Sequence, residues 1–251
     1  MQKPDIPHNE EERTRAIQNL GMIYSPSEAR FDRITRLVCR HFDIDTALVT
    51  IVYKEIQWFK SLQGLNACST DREVSFCGHA ILSDEPLIVE NALLDPRFMD
   101  NPLVVDGPRI RFYAGQPIRD AFGITIGTLC VIDSVPRAFS QEDRQDLRDF
   151  ARLVEAEIAK PVDDNIVTRF VRSLNEHQRS LLIDPIVGSW NRRGFEALLD
   201  KELEHASRKG EDLSLLHVKL SSFDLILNRF GHDRIIDFTK FTAAIIRDAL
   251  P

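Results

Sequence analysis

Two neighbouring stretches decide the fold: residues 110–115, IRFYAG, and residues 124–132, ITIGTLCVI. Both are short, apolar and rich in aromatic or β-branched residues, which is typical of strands that are buried in a sheet. Gly123 lies between them and predicts a turn. Gly127, inside the second stretch, predicts a place where two backbones approach closely. The two stretches therefore predict two strands of a central sheet.

The flanking segments predict an α+β domain. Three further strands are expected, over residues 47–52, 56–62 and 86–89, and the first two form an antiparallel hairpin. Ser140 opens a long helix that has one apolar side down to Ile158. Strands with helices at both ends indicate a fold that is built on an antiparallel sheet. The first thirteen residues are polar and are expected to form a loose tail.

Composition narrows the function classes. The 251 residues include 32 basic and 39 acidic side chains, for a net charge of −7. Because the basic residues are interspersed with acidic ones, no nucleic-acid partner is expected. No apolar run approaches the roughly 18 residues of a membrane span, and the N-terminus lacks the apolar core of a secretory signal. The chain is therefore expected in the cytoplasm, without a membrane partner.

The chain has four cysteines, and their spacing matches no metal framework. They form no CxxC pair, and in a reducing compartment we expect free thiols. Cys39 and Cys130 lie in apolar patterns and are expected to be small core residues. Cys77 and His79 are two residues apart, so on a helix they diverge and no metal site is predicted. The four are Cys39, Cys68, Cys77 and Cys130.

A second helical stretch is predicted from Asp163 to Leu182. Apolar residues and one histidine recur in it at alternating three- and four-residue steps: Val167, Phe170, Leu174, His177 and Leu181. This short seam favours either a parallel homodimer coil or a helix packed on its own domain. Beyond it, the pattern predicts a strand over 213–220 and helices over 195–206, 223–230 and 235–250.

Residues 1–160 resemble the GAF family of sensor domains. The resemblance rests on short motifs spread over the segment: WFKS (58–61), SFCGHAI (75–81), DPRF (95–98), DNPLV (100–104), IRFYAG (110–115) and GTLCVID (127–133). It implies a central antiparallel sheet with a helical layer on one side. It also implies a ligand pocket on the other side, under loops and short helices.

Aromatic and polar residues near these motifs are the candidate pocket residues: Trp58, Phe76, Cys77, His79, Phe112 and Tyr113. Trp58 and Phe112 have a strong alternative as plain core residues. The sequence offers no motif for a cyclic nucleotide and no support for haem, bilin or metal. Ligand and cofactor therefore stay unidentified at this point.

The C-terminal part resembles the diguanylate cyclase (GGDEF) family. Residues 184–193, DPIVGSWNRR, are similar to the family's entry motif D-x-L-T-G-L-x-N-R-R, and residues 228–232, NRFGH, are similar to its D-R-F/Y-G-H run. The resemblance implies three parts: a GAF sensor domain over 1–160, a linker helix over 161–183, and over 184–251 the N-terminal half of an α/β GGDEF-like domain.

This GGDEF-like part departs from the family at its site positions. Lys219 and Ser221 fall where the family has two aspartates, the first of which holds the metal, and a lysine cannot ligate magnesium. Leu227 and Ile236 fall where the family contacts guanine, so polar edges of the base would be left unpaired. The sequence also ends before a G-G-D-E-F motif. We therefore expect a degenerate module with no catalytic residues of its own.

Three functions follow as hypotheses. The first is a sensor that binds a small molecule in the GAF domain and relays it through the helix to an inactive GGDEF-like module. The second is a diguanylate cyclase that converts two GTP to cyclic di-GMP, if the chain is a fragment. The third is a thiol redox module in which Cys68, Cys77 or Cys130 is the reactive thiol, with Cys77, close to His79, as the best candidate.

Overall fold

The structure, a computed structural model, describes residues 1–160, 166–219, 221 and 223–249. It divides into two compact units. One comprises Met1–Ile23 and Ser27–Pro161, and the other comprises Tyr24–Pro26 and Val162–Pro251. The first unit contains a six-stranded sheet, whereas the described part of the second is helical.

The sheet of the first unit is antiparallel throughout, with the strand order β3-β2-β1-β6-β5-β4. Its strands are β1 Thr46–Tyr53, β2 Ile56–Gln63, β3 Ser69–Asp71, β4 Leu87–Val89, β5 Phe112–Arg119 and β6 Thr125–Asp133. The central strands β1 and β6 are buried along almost their whole length, as their continuous apolar sequences predict. The α+β class with an antiparallel sheet is thus confirmed.

Helices cover both faces of this sheet. They are α1 Glu10–Leu20, α2 Ala29–Phe42, α3 Phe76–Ala80, α4 Pro102–Val105 and α5 Gln141–Ala159, with a 3-10 turn at Arg72–Val74. The long helices α2 and α5 pack on one face and on each other, and the short α3 packs on the other. Ser140 caps α5 in a reciprocal pair with Asp143, which satisfies free N–H groups of the first turn.

Two glycines have the backbone roles that their positions predict. Gly123 has φ 82° in the turn between β5 and β6, a conformation that suits glycine. A Cβ atom on Gly127 would lie 1.8 Å from the carbonyl oxygen of Thr50. The close approach of β1 and β6 therefore requires glycine at position 127.

The prediction of a loose N-terminal tail was wrong. The amide of Gln2 donates to the carbonyl of Arg97, and the carbonyl of Gln2 accepts from Nε2 of His79, both at 3.1 Å. Helix α1 already begins at Glu10, and the side chain of Arg13 is only 1% exposed. The segment is ordered because the backbone of Gln2 pairs with the domain and the buried side chain of Arg13 donates to the carbonyls of Thr125 and Val52.

The second unit contains four helices in its described residues: α6 Ile166–Ser173, α7 Glu176–Ser180, α8 Arg192–Lys209 and α9 Phe223–Ala249. Gly231, with φ 81° and ψ 174°, interrupts α9 and divides it into two helical pieces. This agrees with the two helices predicted around it, although Leu250 lies outside the described residues. Helix α8 contains the predicted helix over 195–206.

The single helix predicted from Asp163 to Leu182 is not continuous. Residues 163–165 lie outside the described residues, and α6 ends at Ser173. The side chain of Asn175 then caps α7 in a new start, accepting from the amide of Gln178 at 2.9 Å. The ring of Phe170 lies 5.6 Å from that of Trp190. One seam residue thus packs inside its own unit.

The strand predicted over 213–220 was also wrong. Residues 211–219 have no regular secondary structure and are exposed, and Leu220 lies outside the described residues. A strand is stabilised by pairing, and the described part of the second unit offers only an isolated bridge between Ile183 and Trp190. The local sequence has strand propensity, but no neighbouring strand is described to pair with it.

Candidate ligand cavity and thiol pair

A cavity of about 250 Å³ opens on the face of the sheet that carries α3. Its walls come from strands β1, β2, β3, β5 and β6, from helices α3 and α4, and from the loops around residues 65–67 and 107–110. The lining residues are Leu48, Gln57, Phe59, Leu65, Asn66, Ala67, Thr70, Phe76, Cys77, Leu103, Gly107, Pro108, Ile110, Tyr113, Cys130 and Ile132. The cavity thus lies on the side of the sheet opposite the long helices.

Two capped helix starts position the cavity wall. The hydroxyl of Ser75 accepts from the amide of Gly78 at 2.9 Å and so fixes the start of α3. The side chain of Asn101 accepts from the amide of Leu103 and donates to the carbonyl of Val74, which ties α4 to the segment before α3. These hydrogen bonds explain the serine in the SFCGHAI motif (75–81) and the asparagine in the DNPLV motif (100–104).

The cavity is apolar with a few polar groups. Among the described residues, no charged side chain lines it. Its polar side chains are those of Gln57, Asn66, Thr70 and Tyr113, together with two thiols. The hydroxyl of Thr70 is buried and has no hydrogen-bond partner among the described residues. A buried hydroxyl of this kind is a place for a polar atom of a ligand.

Three of the six predicted pocket residues line the cavity, and three do not. Phe76, Cys77 and Tyr113 lie in its wall. Trp58 and Phe112 are buried elsewhere, since each precedes a lining residue in its strand and successive side chains of a strand point to opposite faces. Whether the three lining residues bind a ligand stays a prediction.

His79 also lies away from the cavity. Its ring packs edge-on against Phe98 at 5.0 Å, and Nε2 donates to the carbonyl of Gln2 at 3.1 Å. Burial lowers the pKa of His79, although this backbone hydrogen bond opposes the shift. The divergence from Cys77 that was predicted for a helix is therefore present.

Sequence reasoning missed several lining residues for two reasons. Phe59 and Gln57 alternate with Trp58 along β2, so strand periodicity could have found them. The loop residues Gly107 and Pro108 belong to no periodic pattern. Only the tertiary fold brings them to the cavity from a distant part of the chain. Cys130 was expected in the core, and it is buried there, but its sulfur also faces the cavity.

The two buried thiols are neighbours. The Sγ atoms of Cys77 and Cys130 are 3.7 Å apart, and the hydroxyl of Tyr113 donates to Sγ of Cys77 at 3.3 Å. Burial would raise the pKa of Cys77, but hydrogen bonds from Cys130, Thr128, Tyr113 and Thr50 lower it to about 7. The hydrogen bond to Cys77 and burial instead raise the pKa of Cys130 well above its usual range.

Family comparison agrees with this architecture. The family model described as GAF domain matches residues 26–158, more than half of the chain. The chain belongs to the GAF domain family. A second model, described as diguanylate cyclase, GGDEF domain, matches residues 181–248. Both family resemblances seen in the sequence are thus confirmed.

One curated relative of this GAF protein is a cyclic di-GMP phosphodiesterase of Pseudomonas aeruginosa. It is 41% identical over 159 residues, which is 63% of this chain. The chain spans about a quarter of that relative, 27% of its length.

Solved structures with similar folds include two proteins at low identity. One is a type II free methionine-R-sulfoxide reductase of Thermoplasma acidophilum, with 14% identity, a TM-score of 0.45, and coverage of 57% of this chain and 94% of that one. The other is the GAF domain of a phosphoenolpyruvate-protein phosphotransferase of Coxiella burnetii, with 20% identity, a TM-score of 0.44, and coverage of 60% and 92%.

Two of the four substituted GGDEF positions are exposed and two are half-buried. Lys219 and Ser221 are exposed, and Lys219 is in the segment without regular structure. Leu227 and Ile236 are half-buried on α9. Across the residues that the structure describes, no group of three or more His, Cys, Asp or Glu side chains could hold a metal ion. Each helix described in those residues is too short or too polar to span a membrane.

Proposed function

We propose that the GAF domain is a sensor that binds a small, uncharged and largely apolar molecule in the cavity. The observation that carries this proposal is a cavity of about 250 Å³ with apolar walls. Within the described part of the chain, no charged side chain lines it and the buried hydroxyl of Thr70 has no hydrogen-bond partner. A charged ligand would lose its hydration in the cavity and meet no counter-charge there. Burying such a charge costs far more free energy than burying a neutral group that makes a hydrogen bond. A compact ligand with one or two polar atoms fits these surroundings best.

A screen of neutral compounds tests the proposal, with thermal shift as the first readout and calorimetry as the second. A hit that hydrogen-bonds Thr70 is expected to bind about 2- to 10-fold more weakly to Thr70→Val, since a neutral hydrogen bond contributes about 0.5–1.5 kcal/mol. Thr125→Val is the matched control, because Thr125 lies at the start of β6 and does not line the cavity. Binding of charged compounds alone would contradict the proposal.

We also propose that the C-terminal GGDEF-like module of this chain does not convert GTP to cyclic di-GMP. Lys219 at the family's metal position supports this, since phosphoryl transfer needs a metal to neutralise charge on the transferred group. Leu227 and Ile236 at the guanine positions support it as well. The module is proposed to receive the signal from the GAF domain and pass it on.

Calorimetric titration with GTP and magnesium, together with an assay for cyclic di-GMP, tests this second part. Neither binding nor product is expected. If GTP binds without turnover, the module is itself a nucleotide sensor and the assignment of Leu227 and Ile236 falls. If product forms, the alignment that places Lys219 at the metal position is wrong, and diguanylate cyclase, the alternative function, takes its place.

The family pair and the named relative support a role in cyclic di-GMP signalling. The phosphodiesterase activity belongs to a protein of which this chain spans only 27%, so it is not assigned to these residues. A cytoplasmic location and a homodimer through residues 163–182 remain predictions. The interruption at Asn175 means that any dimer would involve two short helices rather than one continuous coil.

A further inference from the structure

Cys77 and Cys130 are the two most enclosed thiols of the chain, and they share one wall of the cavity. Cys77 lies in α3 and Cys130 in β6, and each side chain is 1% exposed. Their Sγ atoms are 3.7 Å apart. A disulfide needs about 2.05 Å, so closing the gap requires a relative shift of roughly 1.7 Å between a one-turn helix and a strand.

The surroundings of the pair make the two sulfurs unlike each other. The groups that face Sγ of Cys77 are Cys130 and Thr128 of β6, Tyr113 of β5 and Thr50 of β1. These donors stabilise the Cys77 thiolate, whereas the Cys130 thiol is held in its protonated form. A thiolate beside a neutral thiol is the arrangement in which one sulfur attacks an oxidant and the other resolves the product.

We propose that Cys77 and Cys130 are a redox modification site and form a reversible disulfide when a small hydroperoxide enters the cavity. The Cys77 thiolate attacks the peroxide and breaks its O–O bond, which gives a sulfenic acid and, after protonation, releases water from hydrogen peroxide. The Cys130 thiol then attacks the sulfenic sulfur, the S–S bond forms and a second water leaves. Two thiols lose two electrons, and one hydrogen peroxide becomes two waters.

Reversal needs a dithiol reductant, which exchanges with the disulfide and restores both thiols. This site goes beyond the proposed ligand sensor, because it requires only the sulfur pair and access for a peroxide. It also replaces the hypothesis that paired Cys77 with His79, since the imidazole lies away from the cavity and the partner of Cys77 is a second thiol.

The other two cysteines are built-in controls. Cys39 and Cys68 are half-exposed, and neither lines the cavity. Burial and the nearby carboxylate of Asp45 raise the pKa of Cys39 to about 11, which keeps its thiol protonated at neutral pH. A bulky alkylating reagent is therefore expected to reach Cys39 and Cys68 more easily, and hydrogen peroxide to prefer Cys77.

The test uses the whole reduced chain, treated with hydrogen peroxide at pH 7, quenched with acid, alkylated and mapped by peptide mass spectrometry. The expected product is one cross-linked peptide pair containing Cys77 and Cys130, in the wild type and equally in a Cys39→Ser/Cys68→Ser control. Dithiothreitol should remove the link. Oxidation of Cys39 or Cys68 while the cavity pair stays reduced would overturn the proposal.

Two variants separate the steps. Cys130→Ser should accumulate a sulfenic acid on Cys77, which dimedone traps, and absence of that adduct in a folded protein would also count against the proposal.

Tyr113→Phe removes one hydrogen-bond donor to Cys77 and should move the pH profile of oxidation to higher pH. A rise of one pKa unit from about 7 lowers the thiolate fraction at pH 7 about fivefold, and the rate should fall accordingly. An unchanged profile would show that Tyr113 does not position the Cys77 thiolate.

Discussion

At the scale of single residues, the pairing of β1 with β6 depends on the missing side chain of Gly127. Gly127→Ala would place its Cβ atom against the carbonyl of Thr50, where neither backbone can move without breaking the central ladder. We expect the free energy of unfolding to fall by about 3 kcal/mol or more. Urea denaturation measures it.

Gly123→Ala is the comparison for this change. Gly123 has φ 82° but open space around it, so the substitution adds backbone strain of about 1 kcal/mol without a clash. The expected order is therefore a large loss at Gly127 and a small one at Gly123. Equal losses would mean that backbone strain rather than crowding decides both positions.

Lys60 forms an ion pair with Glu28 in which the lysine is buried. Its Nζ lies 2.6 Å from Oε1 of Glu28, with Lys60 1% exposed and Glu28 38%. Glu28→Gln should lower the free energy of unfolding at pH 7 by about 1–3 kcal/mol, less than for a fully buried pair because Glu28 is partly exposed. Urea denaturation of both proteins measures the difference.

The pH dependence of this pair has a definite sign. Burial would raise the pKa of Glu28, but Lys60 and Arg30 hold it below its ordinary value. The folded carboxylate therefore stabilises the protein above that ordinary value, and its contribution is lost as the pH falls through the folded pKa. Wild-type stability should decline more steeply below about pH 5 than that of Glu28→Gln. Parallel declines would assign acid sensitivity to other carboxylates.

Residue identity alone was enough to find part of the cavity. Of the predicted aromatic residues, Phe76 and Tyr113 line the cavity, whereas Trp58 and Phe112 point away from it. Phe59, the neighbour of Trp58, was not predicted and lines the cavity instead. Because successive side chains of a strand point to opposite faces, one residue of each neighbouring pair faces the cavity. Only the tertiary fold decides which of the two it is. Composition could not have shown that Cys77 and Cys130, 53 residues apart in sequence, become neighbours.

Among the elements, helix α1 contacts the sheet through a buried arginine that donates to two strand carbonyls. Nε of Arg13 donates to the carbonyl of Thr125 at 2.7 Å, Nη2 donates to that of Val52 at 3.0 Å, and Nη1 contacts Glu10 at 2.6 Å. Arg13→Met keeps the apolar stem but removes all of these donors. We expect a loss of about 3 kcal/mol in the free energy of unfolding, measured by urea denaturation.

Arg15 gives the matched control on the same helix. Its side chain is 73% exposed and pairs only at the surface with Glu11, so Arg15→Met should stay within about 0.5 kcal/mol of wild type. A small effect at Arg13 as well would mean that α1 is held by its apolar contacts, such as those of the buried Ile17, rather than by the arginine.

Elements whose partners are local were predictable, and those that need distant partners were not. The capping pair at Ser140 and the turn at Gly123 can be recognised from adjacent residues, and both are present. The strand predicted over 213–220 failed because a strand is completed by its neighbours, which the local pattern does not contain. The break at Asn175 was missed because an apolar seam can continue across a helix interruption.

At the scale of the whole molecule, the two units differ in how much apolar surface they bury. The first unit buries apolar side chains on both faces of its sheet, whereas many large apolar side chains described in the second are exposed, among them Leu216 at 70%, Leu225 at 70% and Phe241 at 64%. A unit that buries little apolar surface has little to offset its conformational entropy. The second unit is therefore expected to be the less stable one unless another surface covers these residues.

Hydrogen exchange measured by mass spectrometry tests this expectation across the chain. Amides of β1 and β6 should exchange slowest, because their bonds open only when the core unfolds, and those of 211–219 and α8 should exchange much faster. Repeated over a range of protein concentrations, the measurement also tests the homodimer through residues 163–182, which predicts that protection of α6 and α7 rises with concentration. If protection of α8 and α9 rises with concentration, the exposed apolar side chains are covered by a second copy. Protection of α8 equal to that of β6 at every concentration would contradict the expected difference in stability.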